Sequence, residues 1–371
     1  KLFGKNLNIS ASQLEKFNLC RFSYFCNYGL NVRERQRAEI NPMQYGTIVH
    51  YILERFFGEY TKEEYLSLEE DKFQKIICAY LTEYAVKYFG EEQLESNSFT
   101  YRLKTILDNV MYLMKHIMEE LSQSEFFVAD CELKIGEDIP SYTIVLPDGH
   151  KIAVCGSVDR VDIMQRADIT YLRIIDYKTG TKQFKLSDIL YGINLQMLLY
   201  LHSIEASGGD KYGEIVPAGI LYMPATVPYI SSDSLKSIDK LPDELNKKLK
   251  MNGLLLKDTE IIHGMDKTDA ATYIPVKIKA GEPVSSTSLA TLAEFGKIFK
   301  KVDMLIAEMG KNIYNGNIEA KPLKGGHDSC EYCPYDSVCA YRQSNPITCF
   351  SVDNKTVIEE ITNEINGKEE E

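Results

Sequence analysis

Two neighbouring stretches, GSVDRVDI at residues 156–163 and YLRIIDYKTG at residues 171–180, decide the fold predicted for this chain. Both are rich in β-branched and aromatic residues, and glycine or aspartate marks their ends, so they are predicted to form the two strands of a hairpin. Side chains alternate between the faces of a strand, which places Asp176 and Lys178 on one face. The neighbouring strand would bring Asp159 beside this pair.

This acid–amine arrangement has the composition of a metal site. Two carboxylates held close together repel each other unless a positive charge lies between them, and Mg²⁺ prefers oxygen ligands of this kind. A lysine beside the metal would orient or deprotonate a water, and the metal would stabilise charge on a phosphate oxygen, which predicts phosphodiester hydrolysis. The alternative is a surface ion pair, which most D-x-K triplets form. Ile174 and Ile175 argue against it, because they predict a buried strand in which an unused charge pair is costly.

The next segment, LSDILYGINLQMLLYLH at residues 186–202, has the apolar spacing of a helix, with Ser187 as its N-cap and Gly192 as a weak point. Asp188, Gln196 and Tyr200 would then lie on one face of that helix. Gln196 and Tyr200 could hydrogen-bond a phosphate or a catalytic group, although each residue taken singly is more typical of an ordinary helix surface.

The order of these motifs, GSVDRVD, IIDYKTG and then a helix with Q-x-x-x-Y, resembles the RecB-like branch of the PD-(D/E)xK nucleases. The resemblance implies an α/β, restriction-endonuclease-like fold with an αβββαβ core and added helices. It also implies that Asp159 and Asp176 bind the metal and that Lys178 acts on the attacking water. Gln196 and Tyr200 match the Gln and Tyr of the family motif.

Two upstream residues complete the site that the resemblance implies. YGTIVHYIL at residues 45–53 resembles the family's G-x-x-x-H helix, which makes His50 a metal ligand, whereas a lone histidine on an apolar helix is usually a core residue. Glu132 lies on a strand predicted over 126–135, where related nucleases often carry an acid, and a surface glutamate is the alternative. The catalytic core is predicted to span 126–224, with helices over 55–125 and 289–315.

The composition is that of a globular protein, with 44% hydrophobic and 26% charged residues in 371. No apolar run approaches the roughly 18 residues of a membrane span, and no basic-then-apolar leader is present. We therefore expect no membrane partner and a cytoplasmic location. The net charge of −12 argues against a surface that binds nucleic acid all over, and the NVRERQR stretch at 31–37 is better explained as a solvated face. Lys1 is not a natural start, which suggests a piece of a longer chain.

Nine cysteines in a chain without an export signal are expected to be thiols rather than disulfides. Three of them, Cys330, Cys333 and Cys339, form a C-x2-C-x5-C pattern that predicts a metal or cluster site with a fourth ligand from elsewhere. Cys20, at the end of an early predicted helix, is the first candidate, and Cys26 is the competitor. Spacing alone does not separate a zinc site from a four-iron cluster.

One cysteine near the start and three near the end, bracketing the nuclease motifs, is similar to the arrangement in AddB-type nuclease domains. MNGLLLKDTEIIHGMD at 251–266 also resembles the corresponding AddB segment. The resemblance implies a 4Fe-4S cluster held by Cys20, Cys330, Cys333 and Cys339, and an AddA-type helicase-nuclease subunit as partner. Residues 1–371 would form one nuclease domain, in which segments 1–30 and 316–345 carry the cluster and 352–371 is an acidic tail, at most a frayed helix.

No G-x4-G-K-[ST] loop occurs in the sequence, which argues against an ATP motor in this chain. The prediction is a Mg²⁺-dependent DNA exonuclease acting on single-stranded DNA ends during double-strand-break processing, within a helicase-nuclease complex. The alternatives are a non-catalytic module that binds or guides DNA, with the acids as relics, and a zinc-bound structural protein. The presence of both aspartates and the lysine favours the enzyme.

Overall fold

The structure of the chain is a computed structural model that describes residues 4–33, 42–180, 183–228, 241–285, 287–339, 341 and 346–369. Arg35 and Arg37 of the NVRERQR stretch lie outside these residues. The α-helices are α1 (Ala11–Leu19), α2 (Arg21–Tyr24), α3 (Pro42–Glu59), α4 (Lys62–Leu66), α5 (Glu70–Phe89), α6 (Glu91–Leu94), α7 (Asn97–Ser122), α8 (Gln196–Ser207), α9 (Gly209–Tyr212), α10 (Leu241–Leu249), α11 (Thr259–Met265), α12 (Leu292–Tyr314) and α13 (Asn354–Glu369). The strands are β1 (Asn6–Ile9), β2 (Phe127–Ile135), β3 (Thr143–Val145), β4 (Lys151–Val154), β5 (Gly156–Arg166), β6 (Ile169–Lys178), β7 (Glu214–Pro224), β8 (Asn252–Leu256), β9 (Lys277–Lys279), β10 (Glu282–Val284), β11 (Leu289–Ala290), β12 (Leu323–Gly325) and β13 (Ile347–Cys349).

A mixed sheet with the strand order β11-β8-β7-β6-β5-β2 forms the centre of the fold. The predicted hairpin is present as the antiparallel pair β5–β6, and β2 pairs antiparallel with the other edge of β5. β6 and β7 are parallel, and the chain passes through α8 between them. The succession α7, β2, β5, β6, α8, β7 confirms the predicted αβββαβ core.

Two arginines and two acids are buried together at β5 and β6. Arg160 donates hydrogen bonds to Asp162 (2.8 Å) and to Glu120 of α7 (3.1 Å), and Arg173 donates to Glu120 (2.6 Å) and to Asp162 (3.0 Å). All four side chains are fully buried. Alternation along β5 turns Asp159 away from this cluster, toward the opposite face of the sheet.

A second sheet, β1-β4-β3, ties the start of the chain to the core. β1 pairs in parallel with β4, and the N–H of Cys155 then donates to the carbonyl of Ile9 at 2.8 Å. Since Cys155 immediately precedes β5, this sheet fixes the beginning of the central hairpin. β4 itself belongs to this second sheet rather than to the central one, although it precedes β5 directly in the chain.

Helices over 55–125 are confirmed as the end of α3 followed by α4 to α7. α3 packs on β2 and on α5, and α5 packs on α7. In the described part of the chain, no helix is both long enough and apolar enough to cross a membrane.

The prediction of one helix over 186–202 is wrong. A 3-10 helix spans Leu186–Tyr191, and α8 begins only at Gln196. Gly192 ends the first helix with φ +69°, and a side chain there would come within 2.3 Å of Asn18 Nδ2. α1 holds this break, because Asn18 donates to the carbonyl of Gly192 (3.0 Å) and Glu15 accepts from the N–H of Leu195 (2.9 Å).

The acidic end of the chain differs from the frayed helix or tail that was expected. α13 packs on α12, and its Val357 and Ile361 are fully buried. Lys301 of α12 is 6% exposed, and its Nζ lies 2.5 Å from Glu364 Oε2. The apolar residues of α13 cover the part of α12 that would otherwise face solvent.

A buried histidine joins α8 to α12. His202 Nε2 lies 3.0 Å from Asp303 Oδ1, which also accepts from the Tyr142 hydroxyl at 2.9 Å, and Nδ1 lies 3.6 Å from Glu205 Oε2. The imidazole stacks on Phe299 with ring centroids 4.6 Å apart. Burial alone lowers the pKa of His202, but the hydrogen bond to Asp303 and the Glu205 carboxylate raise it to about 9.

We expect His202→Gln to lower the free energy of unfolding at about pH 6 but little at about pH 10. The folded pKa lies above the ordinary value of 6.5, so the protonated contact contributes fully below that pH and is lost as the pH rises through about 9. The pH-dependent part is on the order of 3 kcal/mol. Urea unfolding at both pH values measures it, with exposed His263→Gln as the matched control. An equal loss of stability at both pH values would contradict this assignment.

Candidate active site

The site lies where β5 and β6 stop pairing. The last pair of the ladder is Arg160 opposite Ile175, and continuing this register would place Asp159 opposite Asp176. Instead, Asp159 Oδ2 accepts a hydrogen bond from the backbone N–H of Tyr177 at 3.0 Å. The opening of the ladder thereby holds the Asp159 carboxylate against β6, next to Asp176.

α3 delivers His50 to this opening. Gly46, one turn earlier, faces the loop after β6, where an added Cβ would be in ordinary van der Waals contact with Thr179 Cγ2 at 3.8 Å. His50 Nε2 lies 3.7 Å from Asp159 Oδ2, and the imidazole meets the Tyr177 ring edge-on with centroids 5.9 Å apart. The structure therefore brings together His50 and Asp159, as the motif order implied.

Glu132 of β2 completes the group. Its Oε1 lies 2.9 Å from His50 Nδ1, and its Oε2 accepts from the Ser157 hydroxyl at 2.8 Å. Its two neighbours on β2 pair with the two neighbours of Asp159, so the two acids lie opposite each other. The φ of Glu132 is +50°, a left-handed conformation that costs an L-residue about 1–2 kcal/mol. Sequence alternation left Glu132 as either a site acid or a surface residue, and the structure puts it in the site.

Asp176 and Lys178 share one face of β6, as the strand alternation predicted. Asp176 is 2% exposed, and its Oδ2 lies 2.5 Å from Lys178 Nζ. Lys178 is partly exposed and lines a groove of about 740 Å³ together with His50 and Glu132. The acid is thus buried against the sheet, while the amine reaches the open groove.

The acids and His50 shift one another's pKa values. Burial and the nearby Asp176 charge raise the pKa of Asp159 to about 7. Burial alone lowers the pKa of His50, but Glu132 and Asp159 raise it above its ordinary value. Burial raises the pKa of Glu132, and the hydrogen bonds from His50 and Ser157 bring it below its ordinary value. A cation between these acids would relieve the repulsion.

His50, Glu132 and Asp159 are the group of metal-binding side chains that converges most closely. Among the residues that the structure describes, they are the set of three or more His, Cys, Asp or Glu residues whose ligand atoms all lie within 4.8 Å of one another. The ligands implied by the resemblance were His50, Asp159 and Asp176. Asp176 lies beside the group, close enough for its charge to act on both His50 and Asp159.

Gln196 and Tyr200 both lie on α8, one turn apart. Gln196 is its first residue and is partly buried, whereas Tyr200 is 5% exposed. The Tyr200 hydroxyl accepts a hydrogen bond from the N–H of Ala11, and a Cβ at Gly156 would come within 2.2 Å of its oxygen. Burial raises the pKa of Tyr200 to about 12. Asp188, expected on the same helix face, lies on the separate 3-10 helix.

The cysteine-rich segment near the C-terminus packs on the first helices of the chain. The Ser329 hydroxyl donates to the carbonyl of Leu19 at 3.0 Å, and the Tyr335 hydroxyl donates to the carbonyl of Val32 at 2.8 Å. These bonds connect positions about three hundred residues apart in the sequence. The two segments predicted to share a cluster are therefore in contact.

Both candidates for the fourth thiol ligand face this segment. Burial raises the pKa of Cys20 and of Cys26, and the charges of Cys333 and Cys339 raise both pKa values further. Lys324 contacts Cys330. Within the described ranges, the sulfur atoms form no group with all members within 4.8 Å of one another.

Comparison with known proteins agrees with this geometry. A family model described as the PD-(D/E)XK nuclease superfamily matches residues 8–340. The chain belongs to this superfamily. The match confirms the resemblance read from the motif order and extends from β1 to the last cysteine of the C-x2-C-x5-C pattern.

Several relatives of this PD-(D/E)XK nuclease are named as a subunit of an ATP-dependent helicase/deoxyribonuclease. The protein from Thermoanaerobacter sp. (strain X514) is 34% identical over 353 residues, which cover 92% of this chain and 30% of the relative. The one from Clostridium kluyveri is 34% identical over 388 residues, which cover 100% of this chain and 33% of the relative. The chain thus spans about a third of the length of the curated relatives it matches.

We expect Glu132→Gln to weaken binding of Mg²⁺ or Mn²⁺ roughly tenfold or more. The substitution removes a charge from the group and leaves one acceptor oxygen for both His50 and Ser157. Isothermal titration calorimetry with each cation measures the affinity. The matched control is Glu137→Gln, which alters an exposed glutamate just beyond β2 that pairs with Lys134. Unchanged affinity in Glu132→Gln would remove Glu132 from the metal centre.

Proposed function

We propose that the chain is a Mg²⁺-dependent DNA exonuclease domain that hydrolyses phosphodiester bonds at single-stranded DNA ends during double-strand-break processing. One observation carries the proposal. His50, Glu132 and Lys178 line a single groove. Asp159 forms a compact group with His50 and Glu132, and Asp176 pairs with Lys178. Membership of a nuclease superfamily and relatives named as deoxyribonuclease subunits support it further.

The donor set fits a hard divalent cation. It offers carboxylate oxygens and one imidazole, and burial together with the Asp176 charge already raises the pKa of Asp159 to about 7. His50, Asp159 and Asp176 would hold the Mg²⁺, while Glu132 at Nδ1 fixes the tautomer and orientation of the His50 ring. When bound, the cation would supply charge stabilisation on the phosphate oxygens and acidify a water.

The side chains of the site would position the water and the phosphate. Lys178 Nζ, held by Asp176 at 2.5 Å, would hydrogen-bond the attacking water and align it with the phosphorus atom. The N–H of Tyr177 fixes the Asp159 carboxylate at the opening of the ladder. Gln196, at the first turn of α8, would contact the phosphate, and Tyr200 would support the start of β5 beneath the acids.

We also propose that an AddA-type helicase-nuclease subunit delivers the DNA strand to this groove, in the cytoplasm. The relatives are named as one subunit of a helicase/deoxyribonuclease, which implies another subunit. The net charge of −12 gives the chain little attraction for the phosphate backbone of DNA. Tethering by a partner would supply the affinity that the surface charge does not.

The thiols fit a 4Fe-4S cluster held by Cys20, Cys330, Cys333 and Cys339. The charges of Cys333 and Cys339 act on Cys20, and hydrogen bonds hold the two segments together. The cluster would join the chain ends, a link that stabilises on the order of 5 kcal/mol by analogy with a cross-link of that span.

We expect Lys178→Ala to reduce cleavage of end-labelled single-stranded DNA in Mg²⁺ by about 100-fold or more, because the attacking water loses its hydrogen-bond partner. Lys115→Ala is the matched control, since it also removes a lysine paired with a carboxylate, Glu70, but on the outer helices. Gel analysis over a time course measures the rate, with anaerobically purified protein. Cleavage by folded Lys178→Ala at the parental rate would refute the proposed chemistry.

We expect Cys20→Ser to lose iron and the visible absorbance of the cluster, and to unfold at lower urea concentration than the parent. Cys26→Ser should retain both, as should the control Cys78→Ser, which alters an exposed thiol of α5. Iron analysis and absorbance spectra of anaerobically purified proteins measure these effects. Iron lost from Cys26→Ser but kept by Cys20→Ser would exchange the two assignments, and a parent that binds only zinc would exclude the cluster.

A further inference from the structure

An aromatic stack runs along α5 to the edge of the active-site groove. Tyr84 and Tyr88, one turn apart on α5, have ring centroids 4.4 Å from each other with planes tilted by 37°. Tyr84 also packs on Tyr51 of α3, at 5.2 Å and 61°. Tyr84 is 5% exposed, whereas Tyr88 at the end of the stack is 56% exposed. The Tyr88 ring thus packs against Tyr84 on one side and is otherwise largely open to solvent.

The stack is continuous with the catalytic centre. Tyr51 directly follows His50 on α3, and its hydroxyl is fixed by a 2.8 Å hydrogen bond to Glu83. Tyr51, Tyr84 and Tyr88 line the same groove as His50 and Lys178. The rings therefore lead outward from the metal group along the path that a strand lying in the groove would follow.

The charges of the groove limit what else could hold a strand there. The groove is lined by two acids, Glu54 and Glu132, and by two lysines, Lys134 and Lys178, so the lysines do not outnumber the acids. Lys178 is paired with Asp176, and Lys134 with Glu137. Attraction of phosphates by lysines is consequently weak, and a stacking surface is the interaction that the groove offers to a base. Unpaired bases present the faces required, whereas bases inside a duplex are already stacked.

We propose that Tyr88, supported by Tyr84 and Tyr51, is a stacking platform for an unpaired base of single-stranded DNA and holds the strand whose phosphate reaches Lys178. This inference rests on the proposed nuclease function, and it adds a binding site for the base to the side chains that act on the phosphate. Lys87 Nζ lies over the Tyr88 ring, 5.2 Å from its centre, and would move from the ring to the backbone of the stacked nucleotide when the base binds.

The test is binding of fluorescein-labelled oligothymidylate, followed by anisotropy in the non-cleaving Lys178→Ala background with Mg²⁺. Base–aromatic stacking predicts that Tyr88→Ala weakens binding roughly 5- to 100-fold, while Tyr88→Phe, which keeps the ring, binds like the background protein. Tyr101→Ala is the matched control, because Tyr101 is also a highly exposed helical tyrosine, 73% exposed, but does not line the groove.

A second readout distinguishes stacking from a general loss of structure. The chain contains no tryptophan, so Tyr88→Trp introduces a single indole that can be excited separately from the tyrosines. Its emission should be quenched by oligothymidylate but not by an abasic strand of equal length. Equal affinities of Tyr88→Ala and Tyr88→Phe, or equal effects of the two strands on the fluorescence, would overturn the platform. Because neither assay requires cleavage, a platform that binds bases in a chain that hydrolyses nothing would leave this inference standing and refute the nuclease proposal instead.

Discussion

The fold depends on the buried ionic cluster of Arg160, Asp162, Arg173 and Glu120. Such a cluster adds little net stability, because desolvation of four charges offsets their attraction, but leaving one charge unpaired costs about 3–5 kcal/mol. Shifting β5 by one residue would turn two of these charges to the other face and bury them without partners. The cluster therefore fixes the register of β5 on β6 up to the last pair, and that register decides that Asp159 meets Asp176 where the ladder opens.

A second constraint acts from the ends of the chain. α1 supplies the side chains that hold the break before α8, through Asn18 and Glu15, and it ends at Cys20. The position of Gln196 thus depends on a helix that is itself held by the cysteine-rich segment, through the bond from Ser329 to Leu19. A change that loosens the contact between the two ends of the chain would therefore shift the first turn of α8 through α1.

The central strands, the pair Asp176 and Lys178 and the helix of His50 could be predicted from sequence, because alternation and motif spacing are local. Three features could be predicted only in part or not at all. The resemblance offered Glu132 as a candidate acid, but the left-handed conformation of Glu132 in β2 is not encoded by the alternation of the strand. The break at Gly192 interrupts a segment whose apolar spacing continues through it, and its cause is α1, distant in sequence. Lys301 is buried by α13, a helix that packing stabilises rather than its own composition.

The excess of carboxylates in the site has a consequence for substrate binding. Asp159, Asp176 and Glu132 lie together at a groove whose lysines, Lys134 and Lys178, are already paired with acids, so the carboxylates repel a phosphodiester as well as each other. Two like charges about 4 Å apart repel by about 4 kcal/mol at an effective dielectric constant of about 20. A cation bound by these acids would remove that repulsion and create the attraction in one step, so that the phosphate and the metal bind cooperatively. The protein side chains would then have only to hold the bases and the water. The groove suggests Tyr88 for the bases and Lys178 for the water.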